Sequence, residues 1–216
     1  MVHAVRFIIL ATTKVGDKSL VLHTLSAEWG RRSFIVGIGR GTGMAMYLPL
    51  NILDAEIVEN SKSDLWRARS LKVAYPLGGI RNDIRKNTMT LFLSEVLFRT
   101  LHDGSNEDGL FDWCCRSLLT LDALQSDFSN YHLRWLLEFA AVLGFSPSPE
   151  DMIPFAGEHL NDIKALIHGS FAECMLVRLS GRSRNEIAES LLKYIGYHSE
   201  TNIEVKSLAV LRELYA

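Results

Sequence analysis

The chain is poor in cysteine, with three in 216 residues. Two of them, Cys114 and Cys115, are adjacent, and no two cysteines have the CxxC spacing. This pattern excludes a disulfide framework and the paired ligand spacings of a typical zinc site, and it indicates reduced, structural thiols. The side chains that could still converge on a metal are His159, His168 and Cys174, with Glu158. Their scattered spacing argues against a site, so we expect neither a metal nor another cofactor.

Long hydrophobic runs are also missing. The apolar run near the N-terminus, from Phe7 to Ala11, is too short for the core of a signal peptide and for a membrane span. We therefore expect a cytoplasmic protein that has no membrane partner.

The common catalytic motifs are missing as well. The sequence contains neither HExxH nor GxSxG. The glycine-rich stretch GIGRGTG at 37–43 matches neither GxxxxGK[ST] nor GxGxxG, and no helical pattern follows it, so it lacks the helix N-terminus that a phosphate loop needs. We expect a binding protein with no catalytic residues. An enzyme with a site in residues 145–175 is the weaker alternative.

The first 75 residues have a pattern typical of β-strands. Two runs with alternating apolar residues, 20–24 and 34–38, lie on either side of Gly30 and predict a β-hairpin. Further strands are predicted at 7–13, 48–58 and 65–75. Five evenly spaced strands within about 75 residues are typical of a small closed barrel of the OB type. An SH3-like barrel fits the pattern nearly as well.

After Pro76, Gly78 and Gly79 the pattern changes from strands to helices. The 3.6-residue period predicts a bundle of about six helices, at 83–102, 110–125, 129–144, 161–179, 183–196 and 206–215. Ser129 is predicted to begin a helix that ends at Gly144, and Ser183 with Glu186 is predicted to form a capping box. The predicted fold class is α+β: an N-terminal OB-fold domain at 1–79 followed by an all-α domain at 80–216.

The net charge of −2 hides an asymmetry between these two parts. Residues 1–80 contain ten Lys and Arg against six Asp and Glu, which gives +4, and the remainder contains thirteen against nineteen, which gives −6. OB barrels bind single strands by stacking bases on aromatic rings and by placing cations along the phosphates. The candidate DNA contacts are Lys14, Lys18, Trp29, Arg31, Arg32, Arg40, Arg67 and Arg69.

Arg67 and Arg69 alternate along one strand and are predicted to point the same way, about 6.7 Å apart. The aromatic residues Trp29, Tyr47 and Trp66 are possible stacking partners for bases, with the barrel core as the alternative location for each of them.

The order of these features resembles the RecO family of bacterial recombination mediators. The likeness is carried by the pattern T-x-x-x-G-D-x-S-L-V-L-x-T-L-S at 12–26, followed by WGR and VGIGR. The stretch LKVAYPLGGIRNDIRKNTMTLFLSEVL at 71–97 is similar to the junction between barrel and bundle in members from the Bacteroides group. HLRWLLEFAAVLGFSP at 132–147 and EVKSLAVLREL at 204–214 resemble two helices of the family.

The resemblance implies a non-enzymatic DNA repair mediator of the cytoplasm, associated with the nucleoid. Family members bind single- and double-stranded DNA, anneal complementary strands and join RecR. They help to load RecA onto DNA that is coated with single-strand-binding protein, and they recognise the acidic C-terminal tail of that protein. The position of the basic residue in the family's tail pocket corresponds to Arg134, and its neighbour Trp135 could supply an apolar wall.

The chain departs from the family in two places. Many members carry a four-cysteine zinc module after the helix that ends in LG-aromatic, whereas residues 145–175 contain only Cys174. Members often carry a basic segment where this chain has GTGMAM, with Arg40 as its one nearby cation. Fewer phosphate contacts would weaken DNA binding. A protein–protein adaptor of the repair machinery with little DNA binding of its own is therefore the alternative hypothesis.

Overall fold

The computed structural model describes residues 1–39 and 43–214, so that Arg40 lies outside the described residues. The chain forms two compact units. The first comprises Met1–Gly78 and Leu101–Leu118, and the second comprises Gly79–Thr100 and Leu119–Ala216. The functional division at residue 79 stays a prediction.

The first unit contains a closed barrel of five strands: β1 (Val2–Val15), β2 (Ser19–Ser26), β3 (Gly30–Gly37), β4 (Ile52–Val58) and β5 (Trp66–Val73). The strand order is β1-β2-β3-β5-β4, with β4 paired back onto β1 and a parallel β3–β5 pair that closes the sheet. This order is that of the OB fold, so the predicted barrel is confirmed and the SH3-like alternative is not needed.

The predicted hairpin is formed by β2 and β3. Leu22 pairs with Phe34 and Leu20 with Val36, and all four side chains are buried. Since side chains alternate across a strand, the residues between them point outward. The apolar alternation in the sequence therefore marks the interior of the barrel correctly.

The prediction for β1 was too short. Val2–Ile8 pairs with β4, and Phe7–Val15 pairs with β2, with an irregularity between Ile9 and Ala11. The residues before Phe7 alternate between exposed and buried, which is a weaker signal than the continuous apolar run that follows. One strand thus joins the hairpin to the opposite wall of the barrel.

The predicted start of the fourth strand at Leu48 was wrong. Residues 44–47 form a 3₁₀ turn, and Leu50 has a positive φ of 60° while its N–H donates to the Ile9 carbonyl at 2.7 Å. The Asn51 amide donates to the carbonyls of Ala45 and Met46 at 2.8 and 3.0 Å. These bonds hold the chain in a turn up to the beginning of β4.

The described helices are α1 (Gly78–Arg81), α2 (Ile84–Thr100), α3 (Leu110–Ala123), α4 (Tyr131–Val142), α5 (Ile153–Ala156), α6 (Leu160–His168), α7 (Phe171–Leu176), α8 (Gly181–His198) and α9 (Ser207–Leu214). The predicted helical region is confirmed, although it is divided into more and shorter helices. The proline-rich stretch that was predicted as a loop contains α5 and a 3₁₀ turn, Gly157–His159. None of the described helices is long and apolar enough to cross a membrane.

The two ends of α4 agree with the sequence prediction to different degrees. Gly144 ends α4 as predicted, with φ 93°, and the N–H groups of Gly144 and Phe145 donate to the carbonyls of Ala141 and Ala140. This pair of bonds is the Schellman motif, which favours glycine because a left-handed residue is required. At the other end of α4 the cap residue is Asn130, not Ser129.

The predicted capping box at Ser183 was wrong. Helix α8 begins at Gly181, and Ser180 is its cap, with Oγ accepting from the Ser183 N–H at 3.0 Å. The Glu186 carboxylate binds His159 and Arg182 and is not available for capping. The capping box of this region is instead formed by Ser170 and Glu173 at the start of α7.

Candidate nucleic-acid interface

Arg31, the second residue of β3, binds the segment that leads from α2 towards α3. Its backbone N–H donates to the Ser105 carbonyl at 2.9 Å, and its own carbonyl accepts from the Gly104 N–H at 2.8 Å. The guanidinium donates to the Leu101 carbonyl and lies 3.1 Å from Asp103 Oδ1. Burial lowers the pKa of Arg31, and the Asp103 carboxylate opposes that shift. With its side chain 12% exposed, Arg31 is placed for a structural role.

The glycine of the WGR tripeptide allows this approach. Gly30 has φ +58°, and a Cβ built on it would lie 1.9 Å from the Ser105 carbonyl oxygen. A larger residue would meet backbone atoms that are already bonded to Arg31. The segment around Ser105 can therefore pair with the start of β3 only when residue 30 lacks a side chain.

Arg32 has a different environment from its neighbour. It alternates with Phe34 and Val36, so its side chain belongs to the inward set and lies at one end of the barrel. Its guanidinium carbon is 3.6 Å from the centroid of the Trp66 ring and 5.8 Å from that of Trp29. The two indoles meet edge to face at 5.6 Å. Arg32 is thus held by a stacking contact.

The predicted cations on β5 point outward as expected. Arg67 and Arg69 are exposed on either side of the buried Ala68. Arg69 is opposite Glu56 in the β4–β5 ladder, and its Nε donates to Glu56 Oε2 at 2.9 Å. Arg67 is opposite Val58 on one side and Ile35 on the other, and the described residues offer it no carboxylate at ion-pair distance.

Lys14 and Lys18 are both exposed, at the end of β1 and just before β2. Tyr47 is buried, so of its two predicted locations it occupies the barrel core and not a base-stacking surface. Trp29 and Trp66 are partly buried and pack against the same core. The four predicted arginines are divided: Arg31 and Arg32 border one concavity at the end of the barrel, whereas Arg67 and Arg69 are exposed on β5 and do not line it.

The structure also adds side chains that the sequence did not indicate. They are Asp64, Leu65 and Asp103, which together with the predicted Trp29, Arg31 and Arg32 line a concavity of about 380 Å³ at this end of the barrel. Asp103 lies about seventy positions after Arg31, between the predicted helices at 83–102 and 110–125. No local pattern could have placed it here.

In the second unit, Arg134 on α4 lies beside a small concavity of about 110 Å³, whose apolar lining includes Leu137, Ala141, Pro147 and Ile167. Its Nε donates to Glu138 Oε1 at 2.7 Å, and its Nη1 donates to the Gly169 carbonyl at 3.0 Å. A cation at the edge of a small apolar hollow is the arrangement that a carboxylate-ended apolar peptide requires.

Trp135 does not line this concavity, which corrects its predicted role as a pocket wall. It is 3% exposed and stacks on Phe139 with ring centroids 5.0 Å apart. Residues four positions apart share a helix face, and this face of α4 is the buried one.

The histidines and the cysteine that were considered as metal ligands are separated. His159 binds Glu186 at 2.7 Å and Asp162 at 3.3 Å, whereas His168 is exposed at the end of α6. The Cys174 thiol is buried and donates to the Leu166 carbonyl at 3.2 Å. The only metal-like grouping within residues 1–39 and 43–214 is Glu158, His159 and Glu186, where Glu186 is also bound by Arg182.

Comparison with known proteins agrees with this architecture. The family model described as "Recombination protein O C terminal" matches residues 81–153. The DNA repair protein RecO of Flavobacterium psychrophilum is 28% identical over 232 residues, which cover 97% of both chains. The protein of the same name from Bacteroides fragilis is 27% identical, over 96% of this chain and 97% of its own.

A third relative, the DNA repair protein RecO of Flavobacterium johnsoniae, is 32% identical over 171 residues, which cover 76% of this chain and 71% of the relative. This level of identity, over most of both chains, accompanies the confirmed barrel and helical region. The chain belongs to the RecO family of DNA repair proteins.

Proposed function

We propose that this chain is a non-enzymatic mediator of recombinational DNA repair that works at the nucleoid in the bacterial cytoplasm. Its barrel binds single- and double-stranded DNA and anneals complementary strands. Its helical unit binds the C-terminal tail of single-strand-binding protein, and together with RecR the protein helps to load RecA. Membership of the RecO family is the observation that carries this proposal.

The barrel supports the DNA-binding part of the proposal. Lys14, Lys18 and Arg67 are exposed cations, and no carboxylate in residues 1–39 and 43–214 lies at ion-pair distance from them, so that they can contact phosphates directly. At the barrel end, Arg32 and Trp29 offer surfaces on which bases stack. The two kinds of contact together are what an OB barrel needs to hold a single strand.

The partner-binding part is supported by Arg134. The Arg134 side chain is 23% exposed and borders the apolar residues Leu137 and Pro147. A peptide whose C-terminal carboxylate met Arg134 would place its last apolar side chains in this hollow.

Titration of labelled single-stranded DNA with Arg67→Glu tests the DNA-binding part. The variant is expected to bind several-fold more weakly than the wild type, because charge reversal turns a phosphate contact into a repulsion. The matched control is Arg178→Glu, which reverses an exposed arginine in the helical unit. If Arg67→Glu binds like the wild type, the phosphate contact assigned to Arg67 is wrong. If the wild type fails to bind at moderate salt, the DNA-binding part of the proposal is wrong.

One observation favours the adaptor as the second candidate. Arg31 and Arg69 are already paired with Asp103 and Glu56, which reduces the number of cations that are free for phosphates. The adaptor hypothesis expects binding of RecR or of the acidic tail peptide at moderate salt, with no measurable binding of DNA in the same buffer.

A further inference from the structure

The concavity at the end of the barrel differs from the cationic surfaces of the same unit. It is lined by Trp29, Arg32 and Leu65 together with two carboxylates, Asp64 and Asp103. With a volume of about 380 Å³ it lies at the lower end of the range for small-ligand pockets. It therefore has the size to take one small planar group.

The charges of the lining disfavour a phosphate. Arg31 and Arg32 contribute two positive charges, and Asp64 and Asp103 contribute two negative charges. The Arg31 charge is already neutralised by Asp103 at 3.1 Å. A phosphate would meet one stacked guanidinium and an exposed carboxylate, and the latter repels it. A neutral ligand with both donors and acceptors suits this lining better.

The stacking surfaces suit an aromatic ligand. Arg32 lies 3.6 Å from the Trp66 ring, and Trp66 itself does not line the concavity, so the guanidinium is the surface that the concavity presents there. Arginine planes and indole rings both stack on nucleobases. The contact with Trp66 holds the guanidinium in place before a ligand arrives, which reduces the ordering cost of binding.

Asp64 adds a hydrogen-bond acceptor. It is exposed in the β4–β5 loop, and the described part of the chain gives it no ion-pair partner, whereas Asp103 is held by Arg31. A carboxylate accepts hydrogen bonds from the exocyclic amino group of cytosine, adenine or guanine. Thymine has no such group.

We propose that this concavity is a subsite for one unstacked nucleobase that carries an exocyclic amino group, with Arg32 and Trp29 stacking on the base and Asp64 accepting from the amino group. The proposal rests on the proposed DNA binding and adds a preference among bases. The phosphates of the same strand then follow the exposed cations outside the concavity.

The test compares three labelled strands of one length on the full chain: oligo-dC, oligo-dT and a strand of abasic sugars. The wild type is expected to bind oligo-dC most tightly and the abasic strand about fivefold or more weakly, because the stacking contribution is lost. Asp64→Ala, which removes the acceptor, is expected to abolish the preference for oligo-dC over oligo-dT. Asp17→Ala, which removes an exposed carboxylate from the β1–β2 turn of the same barrel, is expected to retain the preference.

The outcomes separate the two proposals. Equal binding of all three strands would leave DNA binding intact and overturn the base subsite. An unchanged ratio of oligo-dC to oligo-dT affinity in Asp64→Ala would overturn the role of that carboxylate. Failure of the wild type to bind any strand would refute the DNA binding on which the subsite depends. Since the ratio is the readout, a general gain in affinity from the lost negative charge does not affect the result.

Discussion

Arg31 and Arg32 are consecutive in the chain, but they have different partners and therefore different roles. Arg31 binds carbonyls and a carboxylate of the 101–105 segment, whereas Arg32 stacks on Trp66. The sequence predicted both as phosphate contacts, because a pair of arginines at a turn carries no information about distant partners. At the scale of residues, the cations divide into those that stabilise the protein and those that are free to bind.

Glu138 provides a prediction for the proposed tail pocket. Its carboxylate holds Arg134 Nε at 2.7 Å and would compete with the carboxylate of a bound peptide. Glu138→Gln is therefore expected to raise the affinity for the acidic tail peptide several-fold, measured by calorimetry. Glu189→Gln, an exposed glutamate on α8, is the control.

Arg134→Ala completes this comparison. It is expected to abolish most of the binding of the tail peptide. If it weakens binding and Glu138→Gln has no effect, competition by Glu138 is refuted while the pocket stands. If neither substitution matters, the pocket itself is wrongly placed.

His159 provides a prediction about pH. The hydrogen bond to Glu186 raises the pKa of His159. Burial opposes this effect, and the hydrogen bond to Asp162 adds to it. A histidine whose pKa is raised by folding stabilises the folded state when it is protonated. This contribution is complete below the unfolded pKa of about 6.5 and is lost as the pH rises through the raised pKa of the folded state.

His159→Gln is therefore expected to lower the Tm most between about pH 5 and pH 6.5, where histidine is charged and carboxylates are still ionised, and progressively less as the pH rises. Thermal unfolding followed by circular dichroism across that range measures the difference. His168→Gln, at the exposed end of α6, is the matched control. A Tm difference that is constant with pH would contradict the assignment.

At the scale of elements, the local rules succeeded where the controlling contact is near in sequence. The end of α4 at Gly144 was predicted, because the Schellman motif is formed by neighbouring residues. The capping box at Ser183 was predicted wrongly, because the Glu186 carboxylate is engaged by His159, which is distant in the sequence. The hairpin was predicted from alternation alone, whereas the approach of Ser105 to Gly30 left no mark in the sequence beyond the glycine itself.

Gly30→Ala tests that approach. The new Cβ would lie 1.9 Å from the Ser105 carbonyl and would also occupy a left-handed conformation. The free energy of unfolding is expected to fall by more than the ~1 kcal/mol that the backbone conformation alone costs. Denaturant unfolding measures it.

Gly16→Ala is the matched control for this substitution. Gly16 has φ +61°, and a Cβ there meets nothing within 4 Å, so that only the conformational cost applies. Equal losses of stability in the two variants would show that the segment around Ser105 yields easily.

At the scale of the whole molecule, the charge pattern sets the expected salt dependence of DNA binding. Residues 1–80 carry a formal charge of +4, but Arg31 and Arg69 are paired and Arg6 binds Asp54 at 2.7 Å. If about three free cations contact phosphates, the logarithm of the affinity for single-stranded DNA should fall with the logarithm of the salt concentration with a slope of about −2.

Titrations at several salt concentrations measure this slope. A value steeper than about −4 would mean that further cations take part, and the assignment of the contacts to Lys14, Lys18 and Arg67 would then be incomplete. The fold class and the closed barrel were accessible to sequence reasoning because they follow from periodicity. The division of the cations was not, since it depends on carboxylates that only folding brings near.

The connectivity of the two units has a practical consequence for dissecting the protein genetically. The backbone passes from one unit to the other at residues 78–79, 100–101 and 118–119, so that no single cut separates them. A truncated version that stops after β5 would lose Leu101, Asp103 and Ser105, and with them the groups that satisfy Arg31. Deletion mapping that treats the N-terminal third as an independent module would therefore measure the damage caused by the loss of residues 101–118. That damage would be mistaken for the loss of a function located in the deleted part.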